Sequence, residues 1–226
     1  MIPANTTTLT VTGIEFISPS LFIISFKRGR MKFTSGDCIS LYNAEGESRP
    51  YSICSGMKDK ELSCYIRSFP AGLVTSYLAA RKPGDKVVTS YPFGWFRPGQ
   101  CGEKTDRHVF IATGTGIAPF LSYMRSFPAR PPDACIYGVR TLADAQPAIA
   151  GMAGKTAFTL AISRERVGGY CCGRITATLD SIPLKVKMQY YLCGLDSMID
   201  EVSLWLEHQG VDLTNIHQEV FFNADT

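Results

Sequence analysis

Three stretches of this sequence carry residue types that could hold phosphate groups. Thr113-Gly114-Thr115-Gly116-Ile117-Ala118-Pro119-Phe120 sets two glycines between an apolar run and a stretch with helical spacing. Glycine lets a backbone approach a ligand closely, and the helix that follows presents free N–H groups and the positive end of its dipole. Pro119 suits the first helical turn, where its missing N–H costs nothing. The same residues can also serve as a plain strand-to-helix turn. Arg49-Pro50-Tyr51-Ser52 brings a guanidinium, an aromatic face and a hydroxyl to the start of a strand expected over 52–54, or is a loop with a half-buried tyrosine. Gly72-Leu73-Val74-Thr75-Ser76 opens a helix expected over 74–81, where the amides face either a second phosphate or ordinary capping by Thr75 or Ser76.

Further candidates lie in the second half. Ser163-Arg164-Glu165-Arg166 ends an expected strand, and Arg174 follows. Ligands of open α/β sheets bind beyond the carboxyl ends of the strands, and arginines there can grip a phosphate bidentately; the alternative is a solvated polar loop. Cys193, in Tyr191-Leu192-Cys193-Gly194, ends another strand, but no histidine is placed to activate it as a nucleophile. The segment His217-Gln218-Glu219-Val220-Phe221-Phe222 joins a carboxylate to aromatics.

The elements that must position these residues fall into two groups. Up to about residue 96 the chain reads as short strands (7–16, 21–26, 37–42, 52–54, 61–67 and 86–90) separated by turn signals, with one helix. This predicts an antiparallel β-barrel. Arg97-Pro98-Gly99-Gln100-Cys101-Gly102 is a breaker-rich linker. Beyond it, strands (108–113, 134–138, 157–163, 188–193, 216–221) alternate with helices (118–127, 174–180, 195–208), the pattern of an α/β doubly wound parallel sheet. The domains expected are 1–98 and 103–226.

Composition narrows the classes. A net charge of +3 over 226 residues is too small for a non-specific nucleic-acid binder. No apolar run approaches the ~18 residues of a membrane span, and the first residues show no secretory leader. The eight cysteines (Cys38, Cys54, Cys64, Cys101, Cys135, Cys171, Cys172 and Cys193) include no Cys-x-x-Cys pair and no iron–sulfur spacing. A cytoplasmic protein with reduced, mostly buried thiols, and no metal, is expected.

Taken in order, Arg49-Pro50-Tyr51-Ser52, Gly72–Ser76, Pro92-Phe93-Gly94, Gly114–Phe120, Tyr137-Gly138-Val139-Arg140, Ser163-Arg164-Glu165, Cys193-Gly194 and Glu219 resemble the ferredoxin–NADP reductase family, over roughly residues 8–222. The resemblance implies an FAD-binding barrel, an NADP(H)-binding α/β domain and electron transfer to a ferredoxin or flavodoxin. An alternative with the same cofactors is a flavin reductase or the reductase component of an oxygenase.

The resemblance also implies roles for individual residues. Arg49 would contact the flavin pyrophosphate, Tyr51 would pack on the isoalloxazine, and Ser52 would lie near flavin N5, with Pro50 between them. Gly72, Leu73, Val74, Thr75 and Ser76 would bind the flavin pyrophosphate. Gly114, Thr115 and Gly116 would bind the pyridine-nucleotide pyrophosphate. Ser163, Arg164 and Arg174 would bind the 2′-phosphate, and Arg140 would be a further cofactor-binding residue. Cys193 would stand beside the nicotinamide, Glu219 would be the active-site carboxylate, and Phe221 would cover the flavin, with Phe222 near the adenine. The residues past Phe221 resemble bacterial members, and the cysteine spacing implies a member without a fused iron–sulfur domain. A monomer is expected. The basic segment Lys27, Arg28, Arg30 and Lys32 either steers an acidic redox partner or is a solvated hairpin loop.

Overall fold

The computed structural model describes residues 5–100, 107–152, 154–185 and 187–221. Contacts divide it into two compact units, one running to Trp95 and including residues 118–126, the other holding the rest from Phe96.

The first unit is built from β1 (Thr6–Ser18), β2 (Leu21–Lys27), β3 (Cys38–Tyr42), β4 (Ser48–Ser52), β5 (Glu61–Arg67) and β6 (Lys86–Ser90), with helix α1 (Leu73–Ala79) between the last two. The strands form one sheet in the order β4-β3-β6-β1-β2-β5, and every pair is antiparallel. Just past β4, Ile53 bridges Cys64 of β5, and the Cys54 N–H donates to Ser63 O at 2.8 Å, so the two edges of the sheet meet and the barrel closes. Branched and aromatic side chains alternate inward along the strands, as an antiparallel sheet with one wet face requires. Their buried members (Phe22, Ile24 and Phe26 of β2; Ile39 and Leu41 of β3; Leu62, Cys64 and Ile66 of β5) fill the core with Val74 and Leu78 of α1.

The sequence places Arg49-Pro50-Tyr51 ahead of a strand at 52–54. In the structure these residues are inside β4, paired to β3 from Tyr42–Ser48 to Cys38–Ser52. Pro50 is tolerated there because β4 ends the sheet order, where a strand can do without one ladder donor.

The second unit contains β7 (Arg107–Thr113), β8 (Ala134–Val139), β9 (Ala157–Ile162), the two-residue β10 (Cys171–Cys172), β11 (Met188–Gly194) and β12 (Ile216–Val220). All pairs are parallel, in the order β10-β9-β8-β7-β11-β12. The central strands are largely apolar: every residue of β8 and β11 is buried, Gln189 being the one side-chain amide among them, as helices on both faces demand. Helix α4 (Asp196–His208) turns Met198, Ile199, Val202 and Leu206 onto the core formed by Val109, Ile111, Ile136, Tyr190 and Leu192.

Helix α3 (Leu142–Met152) is absent from the sequence reading because Pro147 interrupts it. Four alanines among its residues, the best helix formers, sustain it across the lost N–H. The helix expected over 174–180 is a 3₁₀ turn, Ile175–Ser181.

Helix α2 (Ala118–Ser126) follows β7 in the chain yet belongs to the first unit. Three polar contacts tie it there. Ser126 Oγ accepts from the Met57 N–H (3.0 Å), Arg125 pairs with Asp59 (3.3 Å), and Ser35 Oγ donates to Pro119 O (3.4 Å).

Candidate functional site

In the second unit the chain starts at β7, moves outward through β8, β9 and β10, and returns to β11 on the other side of β7. The carboxyl ends of β7 and β11 therefore flank a topological switch point, the place where open α/β sheets bind ligands. Thr113 ends β7 and Gly194 ends β11. The turn after Thr113 is a 3₁₀ segment, Gly114–Ile117, that leads into α2.

The glycines of this turn do different work. Gly114 has φ +53°, and a Cβ there would meet nothing within 4 Å. It is the position open to a ligand, and its carbonyl is held by the Tyr137 hydroxyl at 2.8 Å. A Cβ on Gly116 would collide with the Cys193 carbonyl, lying 2.6 Å from its carbon. Gly116 is therefore glycine for close packing on β11 rather than for approach to a ligand. Gly194, at φ +140°, leaves no room beside Thr113, whose hydroxyl accepts from the Leu195 N–H at 3.0 Å. The β7 turn and the end of β11 are thus fixed to each other. Sequence spacing alone did not single out Thr113 or Tyr137 as anchors of the turn.

Cys193 and Glu219 occupy the same row of the β11–β12 ladder. Cys193 is fully buried, and its thiol donates to Glu219 Oε2 at 3.8 Å. Two residues earlier, Tyr191 stacks on His217 with ring centroids 4.6 Å apart. His217 Nε2 is 2.8 Å from Gln189 Oε1, and burial lowers the histidine pKa from its ordinary 6.5. The half-buried Phe221 donates its N–H to Gly194 O at 2.8 Å, which brings the chain after Glu219 to the end of β11. Phe222 lies outside the described residues.

Beyond the last paired row of β8 and β9, the two chains stay joined. The Ser163 N–H and hydroxyl both donate to Val139 O (3.0 and 3.1 Å), and the Arg164 N–H donates to Arg140 O (2.9 Å). Glu165 accepts the N–H of Leu142, the first residue of α3. Arg140 is half-buried, and Ser163 and Arg164 are exposed at this edge. Arg174 is exposed one residue past Gly173, whose N–H donates to Ile162 O at 2.8 Å. The structure thus gathers Arg140, Ser163, Arg164 and Arg174 at the carboxyl end of β8 and β9.

In the first unit, Arg49 and Pro50 are exposed, Tyr51 is half-buried and Ser52 is buried with its hydroxyl 3.3 Å from Cys38 Sγ. The Tyr51 hydroxyl is buried with no hydrogen-bond partner, and burial, chiefly, raises its pKa. Gly72 caps α1 without any side-chain cap. Thr75 instead donates back to Gly72 O at 3.0 Å, so the capping by Thr75 or Ser76 weighed from the sequence does not form. The first-turn amides of a helix have no intrahelical partner, so these remain available, beside an exposed Leu73. An orphaned hydroxyl, an exposed arginine and an uncapped helix start fit a bound dinucleotide.

Arg28 of the basic segment has a structural task. Its guanidinium donates to Met57 O and Asp59 O (2.5 and 3.0 Å) and lies over the Phe33 ring. Lys27, Arg28 and Arg30 nonetheless line a groove of about 370 Å³ with Thr7, Thr10 and Tyr91. Among the described residues no group of three or more metal-ligating side chains occurs, and no helix is long and apolar enough to cross a membrane.

A closed antiparallel barrel is followed by a parallel sheet whose switch point, with its glycine turn, is a candidate nucleotide site. Comparison with known proteins agrees. The oxidoreductase NAD-binding domain family model matches residues 110–203. The toluate 1,2-dioxygenase electron transfer component of Pseudomonas putida is 27% identical over 93% of this chain and 66% of its own length. The flavodoxin/ferredoxin–NADP reductase of Shigella flexneri is 26% identical, with 84% of this chain and 85% of that protein covered. The structure of a ferredoxin NADP+ reductase from Neisseria gonorrhoeae shares the fold, with a TM-score of 0.86 at 20% identity over 97% of this chain and all of that one. The chain is thus similar to flavodoxin/ferredoxin–NADP reductases and to dioxygenase electron-transfer components alike. It spans about two thirds or less of the dioxygenase electron-transfer components it matches, at 66%, 67% and 61% of their lengths.

Proposed function

We propose that this chain is an FAD-dependent reductase that exchanges electrons between NADP(H) and a ferredoxin or flavodoxin. The observation that carries the reading is the β7–β11 switch point, where open Gly114 lies next to a turn locked by Gly116 and Gly194, with Cys193 and Glu219 paired in the adjoining row. A flavin supplies the conversion between two-electron hydride chemistry and single-electron steps.

The protein's own residues hold and orient. Arg49, Tyr51, Ser52 and the Gly72–Ser76 helix start serve the flavin nucleotide. Gly114 and Thr115 present amides to the pyridine-nucleotide pyrophosphate, and Gly116 holds that turn against β11. Arg140, Ser163, Arg164 and Arg174 take the 2′-phosphate. Glu219 holds the Cys193 thiol in one orientation beside the nicotinamide position, and Phe221 shields the flavin. The partner is an acidic redox protein, met by the groove of Lys27 and Arg30. We infer a monomeric, cytoplasmic protein.

The test is direct. The purified protein should be yellow and be bleached by NADPH. A colourless protein that takes up no FAD overturns the proposal. Replacing Arg164 by Ala should raise KM for NADPH at least about tenfold more than KM for NADH, because a charge-assisted contact contributes roughly 1.5–3 kcal/mol. Equal effects on both nucleotides remove the phosphate role.

A second reading, the reductase component of an oxygenase, is favoured by the dioxygenase electron-transfer components among the relatives. Cytochrome c reduction separates the two. A strong response to added ferredoxin or flavodoxin supports the first reading, and a response only to an oxygenase component supports the second.

A further inference from the structure

We propose that Glu165 is a positioning residue that sets selectivity for the phosphorylated pyridine nucleotide, by holding the Arg140 and Arg164 backbones in one arrangement. The inference rests on the reading of Arg140, Ser163 and Arg164 as the 2′-phosphate site.

The β8–β9 ladder does not stop at its last regular row, Val139–Ile162. It runs on as Ser163 N–H to Val139 O and Arg164 N–H to Arg140 O. The next connection is made by a side chain, with the Glu165 carboxylate accepting the N–H of Leu142. Leu142 begins α3, so its N–H is one of the donors a helix cannot satisfy internally, and an anion there also complements the helix dipole. Each arginine is thereby bracketed. Arg164 lies between its own backbone bond and the Glu165 anchor. Arg140 lies between Val139, which receives Ser163, and Leu142, which donates to Glu165.

Between Ser163 and Arg174 the sequence holds three arginines and a single carboxylate, Glu165. A free carboxylate at this place would weaken a phosphate site by its charge. Directed onto the α3 amide, it instead fixes the two arginines that a phosphate would need preorganised.

Charge and positioning make opposite predictions, which allows a clean test. Glu165→Gln removes the charge but keeps a carbonyl acceptor for Leu142. Glu165→Ala removes both. The measurements are KM for NADPH and for NADH with ferricyanide as acceptor, and the Kd of 2′-phospho-AMP by calorimetry, which needs no turnover. The expected result is that Ala weakens NADPH and 2′-phospho-AMP about five- to tenfold, with NADH changed less than about twofold, while Gln stays near the parent.

Tighter NADPH binding in both variants would show a through-space charge effect and overturn the proposal. So would a Gln variant as poor as Ala, or an Ala variant that weakens NADPH and NADH alike. The parallel Arg164→Ala variant identifies which inference fails. If it changes NADPH alone while Glu165→Ala changes neither nucleotide, positioning by Glu165 fails and the phosphate site stands. If it too affects both nucleotides equally, the phosphate site itself is wrong.

Discussion

Two glycines separated by one residue turn out to have different reasons to exist. Gly114 needs a left-handed backbone, whereas Gly116 needs the absence of a Cβ against the Cys193 carbonyl. Substituting alanine should separate them by chemical denaturation. Gly114→Ala should cost about 1 kcal/mol of backbone strain, and Gly116→Ala should cost more, up to about 3 kcal/mol, because rigid backbone has to move. A Gly116→Ala protein as stable as the parent would contradict the packing described. The glycine spacing was legible in the sequence. Its division of labour was not, because the obstacle at Gly116 comes from a strand far along the chain. The same holds for Tyr51: its type and neighbours marked it, but only the fold shows that its hydroxyl is buried without a protein partner.

At the scale of elements, the β11–β12 pair carries a pH dependence. Burial lowers the pKa of His217, so the folded protein resists protonating it while the unfolded chain takes up a proton near the ordinary 6.5. The contribution to stability is therefore present above about pH 6.5 and is lost as pH falls through the folded-state value. Thermal unfolding of the parent should weaken as the buffer is taken from pH 7.5 toward pH 5. His217→Gln, which can still bond Gln189, should flatten that part of the profile; an unchanged slope would remove His217 from it. Buried strands could be read directly from the sequence, since burial on both faces leaves a continuous apolar run, as in β8 and in β11 from Tyr190 to Gly194. α3 could not, because Pro147 is a strong local stop signal and the helix survives on its alanines and on packing. β4 began earlier than expected because a proline discourages a strand assignment except at a sheet edge, and edges are a tertiary property.

The molecule as a whole sorts its thiols. Cys38, Cys54, Cys64, Cys135 and Cys193 are buried, whereas Cys171 and Cys172 are exposed on β10. Burial pushes the Cys54 thiol up to about 12 and raises Cys64 and Cys135 as well. In a Cys101→Ser background, a thiol reagent should label two cysteines promptly and the remaining five only on unfolding, with peptide mapping placing the label on 171 and 172. Early labelling of any buried cysteine would contradict the packing of its unit. The barrel and the parallel sheet followed from turn spacing and strand–helix alternation. The membership of α2 did not, because chain order says nothing about which unit a helix packs in. That membership has a consequence during synthesis. The barrel strands are complete at Ser90, but the helix that joins their unit ends at Ser126. At about 5–20 residues per second, the ribosome delivers it roughly 2–7 s later. Throughout that interval the nascent barrel waits with Asp59 and the Met57 amide unpartnered by α2, so a chaperone or ribosome-stalling effect on this protein should be concentrated while residues 91–126 are being made.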